Sequence, residues 1–220
     1  MTIRATRHPD AATLMSYAAG TLPEALAAVV ASHAAMCADC RAEIADLELM
    51  GEALLLSRPR HPLPAMAGSA VALAERRAPS RQSGARRLAP HDSLLPAPIV
   101  ARYGLSAETV PWRLLGPGVW HARLALSSPA AGDLRLLKIG PSRTMPEHGH
   151  GGTELTLVLD GAYADDSGRY TRGDLQDIGE DGEHQPVADA RDGCICLIAS
   201  ERPARFKGLV GRLIQPLTGM

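Results

Sequence analysis

Aromatic side chains are scarce in this 220-residue chain: they make up 3% of it, and Phe206 is the single phenylalanine. Proteins that hold single-stranded nucleic acid stack the bases on such rings, so that task is excluded. A dominant charge is missing too. Lys and Arg number 23 against 24 Asp and Glu, a formal net charge of −1. No basic recognition helix stands out, and direct nucleic-acid binding is not expected. No apolar run is long enough to span a bilayer, so no membrane partner is expected. The first residues, MTIRATRHPD, lack the apolar core of a signal peptide. A cytoplasmic chain is therefore expected, in a compartment that keeps thiols reduced. The four cysteines then point to metal or redox chemistry, or to small buried positions, more than to disulfides. No internal repeat is visible.

What is present is enough apolar sequence, 45%, to pack a core in one or two domains. The first part has helical periodicity. Asp10 can cap a short helix that carries Leu14, Tyr17 and Ala18 and stops at Gly20. Thr21 and Glu24 form a T-x-x-E capping-box pattern. It opens a second helix, with Leu22, Leu26, Val29, Val30 and His33 on one side. A third helix follows from Cys40, with Ile44, Leu47, Met50 (or Gly51) and Leu54 facing inward. SRPRHPLP breaks it, and a weaker fourth helix is expected over about 64–77. The composition then shifts to Pro, Ser, Arg and Gly, as in a linker. Its arginines, among them Arg76, Arg77, Arg86 and Arg87, could meet an acidic partner, though a solvated linker explains them as well. After about residue 100 short alternating runs take over, separated by Gly, Pro and Asp. That is the pattern of a small sandwich or barrel.

Two stretches carry chemistry. HAAMCADC holds His33-x3-Cys37-x2-Cys40. His33 and Cys37 lie one helical turn apart, and Cys40 opens a helix whose dipole favours a thiolate. Structural zinc usually takes four protein ligands. The fourth candidates are His8, His61 and a water. His8 is favoured, because antiparallel packing of the first two helices returns the start of one to the end of the other. A redox C-x-x-C normally follows a strand in a βαβ unit, which is absent here. PEHGHGGTELTLVLDG holds His148-x-His150-x3-Glu154-x6-Gly161. The two histidines and the glutamate share strand parity and so enter one interior, and His184 on a later segment can close the set. Three imidazoles and a carboxylate suit a divalent transition metal. Cys194 and Cys196 also share a strand face. They read as buried core residues first, and as a redox pair second.

Together these residues resemble the zinc-binding anti-sigma factors of the ChrR type, over nearly the whole chain. The resemblance is carried by LMSYAAGTLPEALAAVVASHAAMCADCRA, by PEHGHGGTELTLVLDGAY and by CICL. It implies an α+β chain in two separate domains: an N-terminal all-α helical bundle with structural zinc and a C-terminal all-β cupin barrel. The implied limits are 1–78 for the helical anti-sigma domain, 79–98 for the linker and 99–220 for the cupin. Carried over residue by residue, it places zinc on His8, His33, Cys37 and Cys40. It places zinc or another divalent transition metal on His148, His150, Glu154 and His184. It further implies an ECF sigma factor as partner in a one-to-one complex. Release would follow an oxidative signal, singlet oxygen or an organic peroxide, through the cupin, and no enzymatic activity is implied. The second half of the general cupin pattern is incomplete: Gly179, Asp181 and Ala188 stand where proline, glycine and asparagine are usual. That weakens any transfer of catalysis but leaves the metal set intact. The competing function is a metal-dependent, dioxygenase-like cupin enzyme with an appended zinc module, since three His and one Glu leave coordination positions open.

Overall fold

A computed structural model of the chain describes residues 5–57, 94–128 and 131–203, with the backbone of 205 and 206. The expected fourth helix, His61, the arginine run and most of the expected linker lie outside those residues.

Helix α1 (Ala11–Ala18) begins where Asp10 accepts a 2.6 Å hydrogen bond from the Thr13 amide, which satisfies one of the free N–H groups of the first turn. It ends at Gly20, in the left-handed region at φ +70°. There the amides of Gly20 and Thr21 close back onto the carbonyls of Tyr17 and Ser16, both at 2.9 Å. Helix α2 (Glu24–Met36) follows, but the expected capping box does not form. Pro23 occupies the cap position and makes no side-chain cap. Thr21 lies too far upstream and donates its hydroxyl to Ser16 O instead. Glu24 turns away to accept from the Ser127 amide at 3.0 Å and to pair with Arg102. Cys37, extended at φ −110° and ψ 116°, makes a one-residue break before helix α3 (Ala38–Ser57).

A fourth helix was not expected where one occurs: α4 (Ala97–Tyr103) follows Pro96 and stops at Gly104, φ +65°. Seven residues are too few to show a period. It packs on α2, with Ile99 fully buried.

The strands are β1 (Arg113–Gly116), β2 (Val119–Arg123), β3 (Asp133–Ile139), β4 (His148–Gly149), β5 (Glu154–Asp165) and β6 (Gly168–Thr171). They continue as β7 (Leu175–Ile178), β8 (Glu183–His184), β9 (Val187–Ala188), β10 (Cys194–Ser200) and β11 (Arg205–Phe206). All pairings among them are antiparallel. The larger sheet runs β1-β2-β3-β10-β5-β6, with β7 and β9 also on β5, and the smaller runs β11-β4-β8. Gly161 lets the long strand β5 bend. It sits at φ +67° with the Gly193 carbonyl 2.2 Å from where a Cβ would be, beside the register slip between β10 and β5.

Glu154 to Leu159 are all buried, because β5 is covered on both faces. One face lines the barrel. The other presents Leu155 and Leu157, with Leu134, Leu136 and Leu197, to Ala25, Leu26 and Val29 of α2 in one continuous core. The all-α and all-β parts are thus both present, and they share apolar packing. On α3 the inward set is shorter than expected. Ile44 is buried, but Met50 and Leu54 are 59% and 65% exposed, and Leu49, Leu55 and Leu56 are exposed as well. At 1.5 Å per residue, the 20 residues of α3 run far past the 8 of α1 that pack on it.

Leu26 belongs to the shared core and is 1% exposed. Leu26→Ala should cost about 2–5 kcal/mol. The loss should show as one lowered urea midpoint, both in helical circular dichroism and in the fluorescence of Trp112 and Trp120. A drop in the helical signal alone would mean that the two parts unfold on separate cores.

Candidate metal centres

The first cluster is built by three consecutive features of the helical part. His33 lies in the last turn of α2, Cys37 in the break and Cys40 in the first turn of α3. His8 arrives from the segment before α1. Its Nδ1 is 3.3 Å from Cys40 Sγ and 3.5 Å from Cys37 Sγ, and its ring meets His33 edge-on at 5.6 Å. One ligand atom from each of the four lies within 4.8 Å of the others. His33 is completely buried, and neither ring nitrogen has a hydrogen-bond partner. Burial first, and the charge of His8 second, push its pKa down to about 4, so the ring is neutral and offers a lone pair. Burial, with Cys37 next to it, pushes the Cys40 thiol up to about 12.

A buried imidazole without a hydrogen-bond partner, and beside it the Cys40 thiol held protonated, form an unsatisfied set. A divalent cation would satisfy all of it, taking the lone pairs and stabilising the thiolates. The donor set is the Cys2His2 combination of tetrahedral structural sites.

The second cluster is inside the barrel. His148 and His184 are cross-strand partners on β4 and β8, Glu154 opens β5, and His150 follows β4. Their ligand atoms also lie within 4.8 Å of one another. His148 Nδ1 lies 2.9 Å from the Pro146 carbonyl, and His184 Nδ1 lies 3.0 Å from Asp165 Oδ2. Both acceptors take a proton from Nδ1, so that in a neutral ring Nε2 carries the lone pair. Yet the two Nε2 atoms are 3.1 Å apart. Two lone pairs at that distance repel unless a cation is shared between them. His150 Nδ1 approaches Glu154 Oε2 at 3.2 Å, and neither of its nitrogens is in a hydrogen bond. Burial pushes the His148 pKa down. Burial would raise that of Glu154, but His150, His148 and His184 outweigh it and hold the carboxyl below its usual range. A carboxylate with neutral imidazoles is what a divalent transition metal takes. A cavity of ≈ 190 Å³ opens onto His148, Glu154 and His184, with Leu137, Met145 and Ile198 in its walls.

Asp165 did not stand out in the sequence. Its buried carboxylate orients His184 and also accepts from Gln176 Nε2 at 2.7 Å, the role that carboxylates play behind ligating histidines. In ADDSG it reads as a turn residue, and its spacing from Glu154 belongs to no ligand pattern. Cys194 and Cys196 lie in the barrel interior with sulfurs 3.1 Å apart. The Cys194 thiol and burial push Cys196 well above the ordinary range, so it stays a protonated thiol.

A helical layer with a Cys2His2 cluster, packed on a barrel with a His3Glu cluster, defines a two-centre architecture rather than a lone barrel. The profile of the ChrR cupin-like domain matches residues 101–203, and a zinc-finger profile matches residues 12–41. The chain is 40% identical over 218 residues, 98% of each protein, to the anti-sigma-E factor ChrR of Cereibacter sphaeroides. It also matches the crystal structure of Rhodobacter sphaeroides SigE in complex with the anti-sigma ChrR. That match has 37% identity, covers 89% of this chain and 99% of that one, and has a TM-score of 0.71. The chain belongs to the ChrR family of anti-sigma factors. Among the described residues no helix is long and apolar enough to cross a membrane.

The raised Cys40 pKa sets a sign for metal uptake. Without metal the thiol is protonated at neutral pH, so binding must release protons, and affinity rises with pH. At least about one proton per ion, that of Cys40, is expected at the thiol cluster, as the slope of log affinity against pH between 6 and 8. Calorimetry in buffers of different ionisation enthalpy would read the same number. A pH-independent affinity would mean that the thiols are not ligands.

Proposed function

We propose that this protein sequesters an ECF sigma factor in a one-to-one complex, through its helical part, and releases it when the barrel centre meets an oxidative signal such as singlet oxygen or an organic peroxide. In this proposal His8, His33, Cys37 and Cys40 hold zinc, and His148, His150, Glu154 and His184 hold zinc or another divalent transition metal. Residues 1–78 form the anti-sigma domain, 79–98 the linker and 99–220 the cupin sensor. The protein works in the cytoplasm, binds no nucleic acid and catalyses no reaction. One observation carries the partner: α3 leaves Leu49, Met50, Leu54, Leu55 and Leu56 exposed on a single helix. Their spacing spreads them around the end of α3, and a helix end apolar on every side is one that a partner must enclose. The relative whose structure was solved with SigE supports the class of partner.

Leu54 and Leu55 lie at the far end of α3, about 20 Å beyond Cys40 at 1.5 Å per residue, which makes them separable from the ligands. Leu54→Asp combined with Leu55→Asp should abolish capture of the co-expressed sigma factor while leaving metal content unchanged. Undiminished capture would remove α3 from the interface.

Sensing separates in the same way. His150→Ala and His184→Ala should leave the helical part and the apolar end of α3 in place. In a reporter driven by the sigma factor, both variants should still repress but fail to respond to a photosensitiser or an organic peroxide. A normal response would make the barrel metal structural, and sensing would move to cysteines.

A further inference from the structure

One short strand touches both centres. On β7, Gln176 and Asp177 are adjacent and face opposite sides. Gln176 faces the barrel. Its Nε2 donates to Asp165 Oδ2 at 2.7 Å and to Ser167 Oγ at 2.9 Å, and its Oε1 accepts from the Tyr163 hydroxyl at 2.8 Å. Asp165 is the carboxylate that holds His184. Asp177 faces the helical part, where its Oδ2 accepts from Asp10 N at 3.2 Å and Thr13 Oγ1 at 2.8 Å. Asp174, which leads into β7, is 1% exposed. Its Oδ1 accepts from Thr6 N, Thr6 Oγ1 and Arg7 N at 2.6, 3.1 and 3.1 Å, and its Oδ2 is fixed by Thr171. The Leu175 amide donates to Arg7 O at 3.1 Å. Arg7 Nη2 donates to Ser167 O at 3.1 Å, and its guanidinium lies 4.8 Å from the Tyr170 ring. His8 is therefore held on both sides, at residues 6–7 and 10–13, by β7 and the turn before it.

We propose that β7 couples the two centres: Asp174 and Asp177 are positioning residues for His8, and Gln176, through Asp165, is one for His184. The state of the barrel centre then sets the affinity of the thiol centre. The drive is local. Without an ion the facing Nε2 atoms of His148 and His184, 3.1 Å apart, have to rearrange, because a bound ion would be coordinated by both. His184 cannot move without Asp165, nor Asp165 without Gln176. A shift of β7 moves the anchors of His8, which supplies one donor in four to the thiol centre. Linkage makes the effect reciprocal between the two binding affinities.

The inference rests on both clusters being metal sites, and the test separates the two claims. The full chain is loaded with zinc and challenged with a chelator. The thiol centre is read by alkylation of Cys37 and Cys40, resolved by mass spectrometry, and total zinc is read by elemental analysis. His148→Ala, which disables the barrel centre, should weaken zinc at the thiol centre about tenfold, within the usual range of coupling. In a Gln176→Leu background the same His148→Ala change should alter it by less than about twofold, the cycle isolating the pairwise link. Asp177→Asn, which keeps the size of the side chain, runs the same cycle should Gln176→Leu fail to fold. Equal zinc affinity at the thiol centre with and without His148→Ala would overturn the coupling while leaving the metal assignments standing. An equal effect in the parent and variant backgrounds would overturn the route through β7. A parent chain that holds no zinc in the barrel would overturn both claims.

Discussion

The outer face of strands β3, β10 and β5 is a sheet of leucines, and α2 is what keeps it from water. Leu134, Leu136, Leu155, Leu157 and Leu197 are all fully buried there against Ala25, Leu26 and Val29. Fully burying side chains of that size is worth about 1.5–3 kcal/mol each, so this seam fixes how the helical part lies. Strand parity does the rest. Leu155 and Leu157 face α2, so Glu154 and Thr156 face the barrel cavity. The end of α2 then carries His33 into the seam. The thiol cluster thus sits on the sheet, where Asp174 can reach the chain that bears His8.

Each cluster holds a buried imidazole with no hydrogen bond at either nitrogen, His33 in one and His150 in the other. An unpartnered imidazole costs its desolvation, and a pair of facing lone pairs adds repulsion. These are conditions under which metal binding and the local fold stabilise each other. They differ in how far the protein prepares them. In the barrel, Pro146 and Asp165 fix the protons of His148 and His184 from behind, so the donors are oriented in advance. At the thiol cluster, neither nitrogen of His33 has a hydrogen bond, and His8 is placed through the backbone and side-chain bonds of the residues on either side of it. The first arrangement holds its geometry locally. The second depends on a strand far away in sequence.

That distance explains what could be read from the sequence and what could not. Most of each cluster was visible as a short spacing, His33, Cys37 and Cys40 across one helix junction and His148, His150 and Glu154 at the entry to β5, while His8 and His184 arrive from other segments. Gly161 was marked by its place in the motif, and the bulge gives the reason. Asp165, Asp174, Asp177 and Gln176 were not legible, because Thr6 and Asp174 are 168 residues apart and no local period encodes the pairing. The capping box over Thr21 and Glu24 failed on Pro23, which took the cap position and freed Glu24 for Ser127 and Arg102. Met50 and Leu54 were expected inward because periodicity shows that a face is apolar. It does not show whether that face is covered by the same chain.

The apolar end of α3 also bounds the partner it would need. Its five exposed residues, already 27–41% covered, would gain on the order of 5–10 kcal/mol gross on complete burial. Association costs roughly 4–15 kcal/mol in lost freedom before any affinity appears. The end of α3 alone therefore makes no tight complex, and a sequestering protein must present more apolar surface than this. Met66, Val71 and Leu73, downstream of Ser57 and outside the described residues, add apolar sequence from which it could come.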